Sequence, residues 1–481
     1  MAEKNFYLTT TLPYVNADPH IGFAFEIVHA DIIARYKRLT GHEVFFTTGT
    51  DEHGQKISQK AKEEGQDVQV YVDHYAKQFE KLKEGLNLSY DAFIRTTDPH
   101  HIAAAQKLWS LCDAAGDIYK KKYKGLYCVG DEAFIKESDL VDGKCPNHPN
   151  MTPIEIEEEN YFFKLSNYQE KILEYLKREN VVLPQWRREE AIKFVEQGLE
   201  DFSISREKAR MSWGVPVPGD DAQVMYVWFD ALTNYISTLG WPDEAGNFKK
   251  FWQDGEVVQM AGKDQVRFQS IMWQAMLMSA NVKNTDRVVY HGFITSGGQK
   301  MSKSLGNVIE PFALINEYGT DAVRYFFARH IHPFEDSDFT MERFKDAYNA
   351  DLANGLGNLA ARIMKLSEDY LDLEDRNLDF NPDSTSLHKK IDEFRLDEAL
   401  SMLWEAIRKI DERIQEKKPF LAVKSEDEKI RFEGRTEIAT LVMLLKQIAI
   451  ELSPFMPTTS QRILDAIAQN KKPETLFPRK D

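Results

Sequence analysis

The sequence predicts an α/β protein in which an insert interrupts a parallel sheet and an all-helical region follows. Three observations support this prediction. Strand and helix patterns alternate near the N-terminus, Cys, Pro and Gly punctuate the middle of the chain, and helical apolar spacing prevails from residue 347 onward. The chain has 481 residues, a length that predicts roughly two to four domains.

The N-terminal segment has the pattern of a strand, a helix and a second parallel strand. Residues 6–11 are rich in β-forming side chains, residues 21–39 carry helical apolar spacing, Gly41 ends that helix, and residues 44–48 resemble the next strand. The predicted segments are the first half of the sheet domain (1–115), the insert (116–227), the second half (228–310), a linking region (311–346) and the helical bundle (347–481).

Composition and charge exclude several classes of protein. Hydrophobic residues make up 42% of the chain and charged residues 29%, as in ordinary globular proteins. The formal net charge of −16 argues against a general nucleic-acid coat protein, although a local basic face can still steer a polyanion. Three cysteines are too few for a disulfide framework, and no apolar run is long enough to cross a bilayer. We therefore expect a cytoplasmic protein with no membrane partner.

Two separate segments carry residue types suited to phosphate groups. His20 and Gly22 open the first helix, where glycine allows close backbone approach and the helix N-terminus favours anions. Residues 297–304, with the sequence GGQKMSKS, place Lys300 and Lys303 in a loop where they would neutralise charge on departing pyrophosphate. The alternatives are a turn glycine beside a surface histidine and a solvated basic loop.

Together these segments resemble the two signature sequences of class I aminoacyl-tRNA synthetases, whose catalytic domain is a Rossmann-like parallel sheet. The resemblance implies that the amino acid carboxylate attacks the α-phosphorus of ATP with Mg²⁺ assisting, so that catalysis depends on positioning and electrostatics. It implies catalytic roles for His20, Gly22, Lys300 and Lys303, and the implied ATP site consists of His20, Gly22, Glu26, the backbone of Ile294 and Lys303. Phe23 departs from the family, which usually has a second histidine there.

Three further segments resemble methionyl-tRNA synthetases in particular: residues 11–16 (TLPYVN), 50–54 (TDEHG) and 226–232 (YVWFDAL). The resemblance implies that Asp51 pairs with the substrate ammonium. The implied methionine-binding residues are Leu12, Tyr14, Asp51, Trp228, Ala231, Tyr235, Gln269 and Trp273. A thioether beside an aromatic ring gains on the order of 1 kcal/mol. Gln269 stands where the family commonly has histidine, and for Trp228 taken alone core packing is the alternative.

The insert carries two turns with the spacing of metal ligands. Cys128 and Asp131 belong to the first turn, and Cys145 and His148 to the second. The four residues resemble the zinc knuckle of the family and imply a structural Zn²⁺ site. Asp131 replaces the usual cysteine, and a hard carboxylate should weaken zinc binding without abolishing it. The alternative is a metal-free knuckle held by packing.

The helical region carries residues that resemble the anticodon-reading set of the family. Asn358 and Arg362 are four residues apart and therefore share a helix face. Phe420 follows Pro419 where the family commonly has a stacking tryptophan, and stacking of a base on an aromatic ring is worth ~1–3 kcal/mol. The alternative for Phe420 is a buried core ring.

The resemblance covers almost the whole chain and implies a methionine–tRNA ligase activity. ATP would activate L-methionine to methionyl-adenylate with release of pyrophosphate, and methionine would then pass to the 3′ end of tRNA(Met). Because the chain ends shortly after its last predicted helix, we expect a monomer. Two alternatives remain: a class I ligase for another amino acid, such as cysteine or leucine, and a non-enzymatic RNA-binding relative, which Phe23, Gln269 and Phe420 would fit.

Overall fold

A computed structural model describes residues 4–130, 133–146, 150–301, 307–372 and 384–480. The chain forms two compact units, each assembled from separate stretches of sequence. The sheet unit consists of Met1–Pro19, Gly41–Lys83 and Tyr90–His291, and the helical unit of His20–Thr40, Glu84–Ser89 and Gly292–Asp481. None of the described helices combines the length and apolar character that crossing a membrane requires.

The sheet unit is built on six strands whose neighbours all pair in parallel. Their spatial order is Ala92–Arg95, Glu43–Thr50, Asn5–Thr9, Glu256–Gly262, Arg287–His291 and Val182–Leu183. The predicted parallel sheet is therefore confirmed. The first strand is central, and its residue Leu8 pairs with Phe46 on one side and Val258 on the other. Its run of buried apolar residues is typical of a parallel strand covered on both faces.

The strand order places a topological switch point at the first strand. The chain adds strands on one side of Asn5–Thr9 up to Arg95, and then adds Glu256–Gly262 on the other side. In open α/β sheets the crevice beyond the carboxyl ends of the strands at such a point is the usual ligand site. Residues that directly follow Thr9, Thr50 and Gly262 therefore lie where the fold favours a ligand.

Between the two halves of this sheet the chain forms antiparallel sheets. One contains, in spatial order, Ala133–Ile135, Ile118–Cys128, Ile154–Phe163 and Phe202–Ser203. Another contains Pro216–Val217, Asp220–Met225 and Ser205–Glu207. The same stretch of chain also supplies Val182–Leu183, the edge strand of the parallel sheet, which pairs with Val288 and Val289. The sequence did not predict this edge strand.

Helices complete the sheet unit. Its α-helices include Gln55–Glu63, Val68–Glu80, Pro99–Ala114, Gln169–Lys177, Gln185–Glu196, Val227–Leu232, Asn234–Ser237 and Trp273–Ser279. Two π-helical segments, Phe248–Gln253 and Phe268–Met272, and three 3₁₀ turns, Glu137–Asp139, Leu165–Tyr168 and Lys263–Gln265, connect them. The helices cover an apolar core that includes Tyr7, Trp109, Trp252 and Trp273.

The helical unit confirms the predicted all-helical C-terminal region. Its α-helices are Ile21–Leu39, Pro311–Tyr318, Thr320–His330, Met341–Ala347, Asn358–Tyr370, Thr385–Asp392, Leu396–Lys417, Pro419–Ala422, Glu428–Leu452 and Pro457–Gln469, with the π-helical segment Tyr348–Gly357. In Leu396–Lys417 the buried residues Leu396, Ala399, Leu400 and Leu403 recur every three or four positions, so one face packs into the bundle. Strands Ile294–Ser296, Gln299–Lys300 and Ser337–Phe339 form a small sheet in the same unit.

A buried ion pair fixes the helix Ile21–Leu39 within the helical unit. The side chains of Asp31 and Arg324 are both fully buried, with Arg324 Nη2 2.8 Å from Asp31 Oδ2. Arg324 also donates to the backbone oxygens of Leu86, Pro454 and Phe455. Burial alone would raise the pKa of Asp31, but the neighbouring guanidinium groups hold that pKa below its usual value. The pair is therefore satisfied on both sides, which a buried charge requires.

Candidate functional site

The sheet unit brings Tyr14 and Asp51 together beyond the carboxyl ends of two neighbouring strands. The two residues form a parallel bridge. The backbone nitrogen of Asp51 donates to the Pro13 oxygen at 3.0 Å, and the backbone nitrogen of Val15 donates to the Asp51 oxygen at 3.3 Å. Asp51 is only 3% exposed, whereas Leu12 and Tyr14 are partly exposed. A carboxylate thus lies at the switch point, where the fold favours a ligand.

Aromatic side chains on and near the helix Val227–Leu232 form a second group of candidate residues in the sheet unit. Trp228 stacks on Phe268 with ring centroids 4.0 Å apart and planes 16° apart, and both rings are partly exposed. Tyr235 and Trp273 are buried, with centroids 5.9 Å apart, and Ala231 is buried on the helix Val227–Leu232. The stacked rings therefore remain partly open to solvent, whereas Tyr235, Trp273 and Ala231 belong to the core.

Gln269 places a polar group within these aromatic residues. Its side-chain nitrogen donates to the Tyr235 hydroxyl, and its backbone oxygen accepts from the Gln274 side chain at 2.9 Å. Among the described residues, Gln269 Oε1 and Trp273 Nε1 are buried without a hydrogen-bond partner. Buried polar atoms nearly always have a partner, so these two atoms are candidates for contact with a bound molecule.

One buried carboxylate joins several elements of the same unit. Asp230 Oδ2 lies 2.7 Å from His53 Nδ1, and Asp230 Oδ1 lies 2.9 Å from His101 Nε2. His101 Nδ1 is in turn 2.9 Å from Ser237 Oγ. Burial alone would raise the pKa of Asp230, but the two histidines lower it to about 2. Asp230 is therefore an anion throughout the physiological pH range.

Glu52 is the centre of a second buried network. Its carboxylate accepts from Arg95 Nε at 2.6 Å and Nη2 at 2.9 Å, from Thr50 Oγ1 at 2.7 Å and from Thr97 Oγ1 at 2.5 Å. Its backbone oxygen accepts from Trp213 Nε1 at 2.6 Å. Burial would lower the pKa of Arg95, but Glu52 and Asp73 raise it well above its usual value. The residue after Asp51 is thus held by a two-pronged ion pair.

In the helical unit, His20 and Gly22 lie at the start of the helix Ile21–Leu39. His20 is the exposed N-cap, and its Nδ1 accepts from the Gly22 nitrogen at 3.0 Å. The neutral imidazole then carries its proton on Nε2, which is a donor. A Cβ on Gly22 would lie 2.8 Å from His20 Cε1, so a side chain there would displace the ring. Glu26 is buried on the same helix.

The second signature segment begins with a hairpin in the helical unit. Ile294–Ser296 pairs antiparallel with Gln299–Lys300, joined by Gly297 and Gly298, whose φ angles are +62° and +74°. Two adjacent positive φ angles are the requirement of a tight two-residue hairpin, which explains the glycine pair. Lys300 lies at the end of this hairpin. Lys303 lies outside the described residues.

The predicted metal ligands are only partly within the described residues. Cys128 ends the strand Ile118–Cys128, Cys145 lies in the following loop, and both are buried. Asp131 and His148 lie outside the described residues. Within the described ranges no group of three or more His, Cys, Asp or Glu side chains is arranged to hold a metal ion.

Asn358 and Arg362 line a cavity of about 540 Å³ in the helical unit. Trp404, Arg408 and Asp411 contribute to its wall. Asn358 is exposed, and Arg362 Nη1 lies 2.5 Å from Asp411 Oδ1 in a partly exposed ion pair. Phe420 is partly exposed on the short helix Pro419–Ala422 and is not among the residues that line this cavity.

Sequence reasoning missed the networks beside Asp51, including Glu52, His53, Asp230 and His101. Glu52, His53 and Asp230 belong to segments 50–54 and 226–232, which were singled out for other positions. Asp230 lies among the apolar residues of segment 226–232, and a polar residue in such a run was the available signal, whereas segment 50–54 (TDEHG) has no apolar run to mark Glu52 or His53. No pattern in the sequence marked His101.

Comparison with known proteins identifies the family. The family described as tRNA synthetases class I (M) matches residues 6–152 and 149–364. A methionine–tRNA ligase of Mesorhizobium japonicum is 40% identical over 97% of this chain and 92% of its own length. One of Fusobacterium nucleatum is 38% identical over 98% of this chain and 75% of its own length.

Solved structures give the same result. Methionyl-tRNA synthetase of Mycobacterium tuberculosis in complex with methionyl-adenylate superposes with a TM-score of 0.90 at 37% identity, covering 99% of each chain. Sequence similarity and fold similarity therefore both extend over nearly the whole molecule. The resemblance drawn from the short sequence segments is confirmed: this chain belongs to the methionine–tRNA ligase family of class I aminoacyl-tRNA synthetases.

Proposed function

We propose that this protein activates L-methionine with ATP to methionyl-adenylate, releases pyrophosphate, and transfers methionine to the 3′ end of tRNA(Met). The observation that carries the proposal is the conjunction of the Asp51 carboxylate and the aromatic group around Trp228 and Tyr235 in the sheet unit, at the positions of the methionyl pattern. The structure of a relative that covers 99% of this chain is a complex with methionyl-adenylate. The alternatives of a ligase for another amino acid and of a non-catalytic relative have no comparable support.

Asp51 binds the ammonium group of methionine in this proposal. A nearly buried carboxylate attracts a cation more strongly than one in open water. Leu12, Tyr14, Trp228, Ala231, Tyr235 and Trp273 contact the side chain of the substrate. Their apolar and aromatic character suits a flexible, polarisable thioether. The unpartnered polar atoms of Gln269 and Trp273 add directional contacts within an otherwise apolar pocket.

His20, Gly22 and the start of their helix bind the phosphates of ATP. The Nε2 proton of His20 and the positive end of the helix dipole both favour an anion. Glu26 and the backbone of Ile294 contact the rest of the nucleotide, and Lys300 and Lys303 neutralise the departing pyrophosphate. Mg²⁺, when bound, adds positive charge at the phosphates. The chain needs no proton-abstracting group, because the substrate carboxylate is already the nucleophile, and positioning supplies the catalysis.

Asn358, Arg362 and Phe420 read the anticodon of the tRNA. The amide and the guanidinium can bond to base edges, and an aromatic ring offers a stacking surface. The cavity that Asn358 and Arg362 line is large enough for a base to enter. Phe420 would stack with less area than the tryptophan that is common in the family.

Cys128, Asp131, Cys145 and His148 bind a structural Zn²⁺ in this proposal, and the burial of both cysteines supports it. Metal analysis of purified protein tests this assignment, with a stoichiometric zinc signal expected that is lost in Cys145→Ser.

We further propose that the protein acts as a monomer in the cytoplasm. Light scattering at micromolar concentration tests the monomer, and a stable dimer would contradict it.

The decisive experiment is exchange between ATP and pyrophosphate in the presence of each amino acid separately. We expect methionine alone to support exchange, because the pocket is apolar and its carboxylate fixes the ammonium group. Exchange with cysteine or leucine instead would identify another class I ligase. Folded protein that binds tRNA but supports no exchange would be the non-catalytic relative. Phe23→His would then test whether the histidine usual in the family restores exchange.

A further inference from the structure

The two residues that follow Asp51 are each tied by a buried carboxylate to a different part of the sheet unit. Glu52 is paired with Arg95 on the adjacent strand Ala92–Arg95. His53 is bonded to Asp230 on the helix Val227–Leu232. The segment that presents Asp51 is therefore held on two sides.

The Asp230 network also reaches the residues assigned to the methionine side chain. Trp228 and Ala231 lie on the same helix as Asp230. Tyr235 and Ser237 share the next short helix, Asn234–Ser237, and Ser237 bonds to His101, whose other ring nitrogen bonds to Asp230. One carboxylate thus connects the ammonium side of the pocket with its aromatic side.

We propose that Asp230 is a positioning residue for methionine, acting through His53 and His101 to fix the distance between Asp51 and the aromatic wall. This inference rests on the proposed function. Asp230 is fully buried, and both of its carboxylate oxygens are engaged by histidines on two different segments, so its position is determined from two directions. A satisfied polar network of this kind specifies one geometry where apolar packing tolerates several.

The Asp230 network is poorly suited to a role in stability alone. Buried charge pairs often stabilise less than apolar residues of the same volume, because desolvation offsets the attraction. The Asp230 carboxylate is engaged by the imidazoles of His53 and His101, which are weaker ion-pair partners than lysine or arginine. Binding sites, by contrast, depend on position, and displacement of a binding group by about 1 Å can cost a factor on the order of 100 in rate.

Asp230→Asn tests the proposal directly. The amide keeps one acceptor oxygen, and its NH₂ group can bond only to a ring nitrogen without a proton, so one of the two histidines must give up its donor role and the network must rearrange. We expect the KM for methionine in pyrophosphate exchange to rise ~10-fold to ~100-fold, in line with the cost of a displacement near 1 Å. The KM for ATP should stay within about twofold, because the residues assigned to ATP belong to other segments.

A pair of His101 variants provides rescue and keeps the test valid if Asp230→Asn does not fold. His101→Gln can place an amide N–H where Nε2 donates to Asp230, whereas His101→Leu has a similar size and no donor. We expect His101→Leu to reproduce the rise in the methionine KM and His101→Gln to remain near wild type. A purely packing role would make the two variants equivalent.

Glu158→Gln is the matched control. Glu158 is an equally buried carboxylate, paired with Arg210 in an antiparallel sheet of the same unit and not part of the pocket. We expect Glu158→Gln to lower the melting temperature without raising the KM for methionine relative to the KM for ATP. The proposal is overturned if Asp230→Asn leaves the methionine KM unchanged, or if both KM values move together as they would after general destabilisation. Wild-type protein without methionine-dependent exchange would instead refute the proposed function.

Discussion

The residues assigned to methionine and those assigned to the anticodon differ most in burial. Asp51 is 3% exposed and Gln269 1%, although Leu12, Tyr14 and Trp228 of the same set are partly exposed. Arg362 and its partner Asp411 have side chains that are 38% and 46% exposed. Loss of one partner from a buried ion pair typically costs about 3–5 kcal/mol, whereas an exposed pair contributes about 0.2–1 kcal/mol. We therefore expect the folded core to fix the positions of the polar groups assigned to methionine. We expect the Arg362 pair to contribute binding energy mainly when tRNA covers it.

The largest effect is expected from Asp51→Ala. Removal of the carboxylate leaves the substrate ammonium without its partner and should cost about 3 kcal/mol, or a factor on the order of 100 in kcat/KM for methionine. Pyrophosphate exchange at varied methionine concentration measures this. Asp220→Ala, which removes a partly exposed carboxylate of the same unit that pairs with Lys120, is the control and should change kcat/KM little. Unchanged methionine affinity in Asp51→Ala would place the ammonium site elsewhere.

Arg362→Ala should affect only the step that needs tRNA. Loss of a base-reading arginine should cost about 1–3 kcal/mol in aminoacylation, while exchange without tRNA remains at the wild-type rate. Arg413→Ala is a matched control, because Arg413 is a partly exposed arginine paired with Glu437 that does not line the cavity. Equal losses in both assays would indicate misfolding of the variant, and no loss in either would remove Arg362 from recognition.

Tyr235→Phe removes the hydroxyl that accepts the hydrogen bond of Gln269, and we expect a smaller effect than that of Arg362→Ala. The Gln269 amide would lose the hydroxyl that accepts its hydrogen bond. The loss should cost about 1 kcal/mol and raise the KM for methionine. Tyr175→Phe removes a comparably buried hydroxyl, one that donates to the Thr285 oxygen, and should lower stability without changing that KM. If the two variants behave alike, the Tyr235 hydroxyl contributes only to stability.

Asp411→Ala should have the smallest effect and the opposite sign. Removal of this carboxylate frees Arg362 and takes one negative charge from the cavity wall, so tRNA should bind more tightly by less than about 1 kcal/mol. Binding measured at low and high salt separates the two contributions, since salt screens the charge term. Weaker tRNA binding would mean that Asp411 holds Arg362 in its reading position.

The regular elements near the N-terminus could be predicted because local signals agree there. The helix Ile21–Leu39 has the predicted limits, with His20 as its N-cap and Gly41 at positive φ just beyond its end. Its neighbouring strands were placed to within a few residues. The edge strand Val182–Leu183 has no such signal, since two residues carry no periodicity and their pairing depends on a strand about a hundred positions away.

The site was predictable to the extent that residues could be matched one by one to the pattern of a family. Asp51 and Trp228 were assigned to the site in that way and stay predictions, although neither position is marked by spacing or composition alone. The bond between His53 and Asp230 joins residues 177 positions apart, and only the folded chain brings them together. The role of His101 could not be predicted for the same reason, because its partner Asp230 lies 129 positions away.

The short strand Val182–Leu183 limits how this protein can be trimmed. It covers one side of Arg287–His291, whose backbone groups would otherwise form an open sheet edge. Excision of the whole stretch between the sheet halves would therefore expose a strand able to pair with another copy of the chain. A shortened protein would therefore have to retain these two residues to keep this edge of the sheet covered.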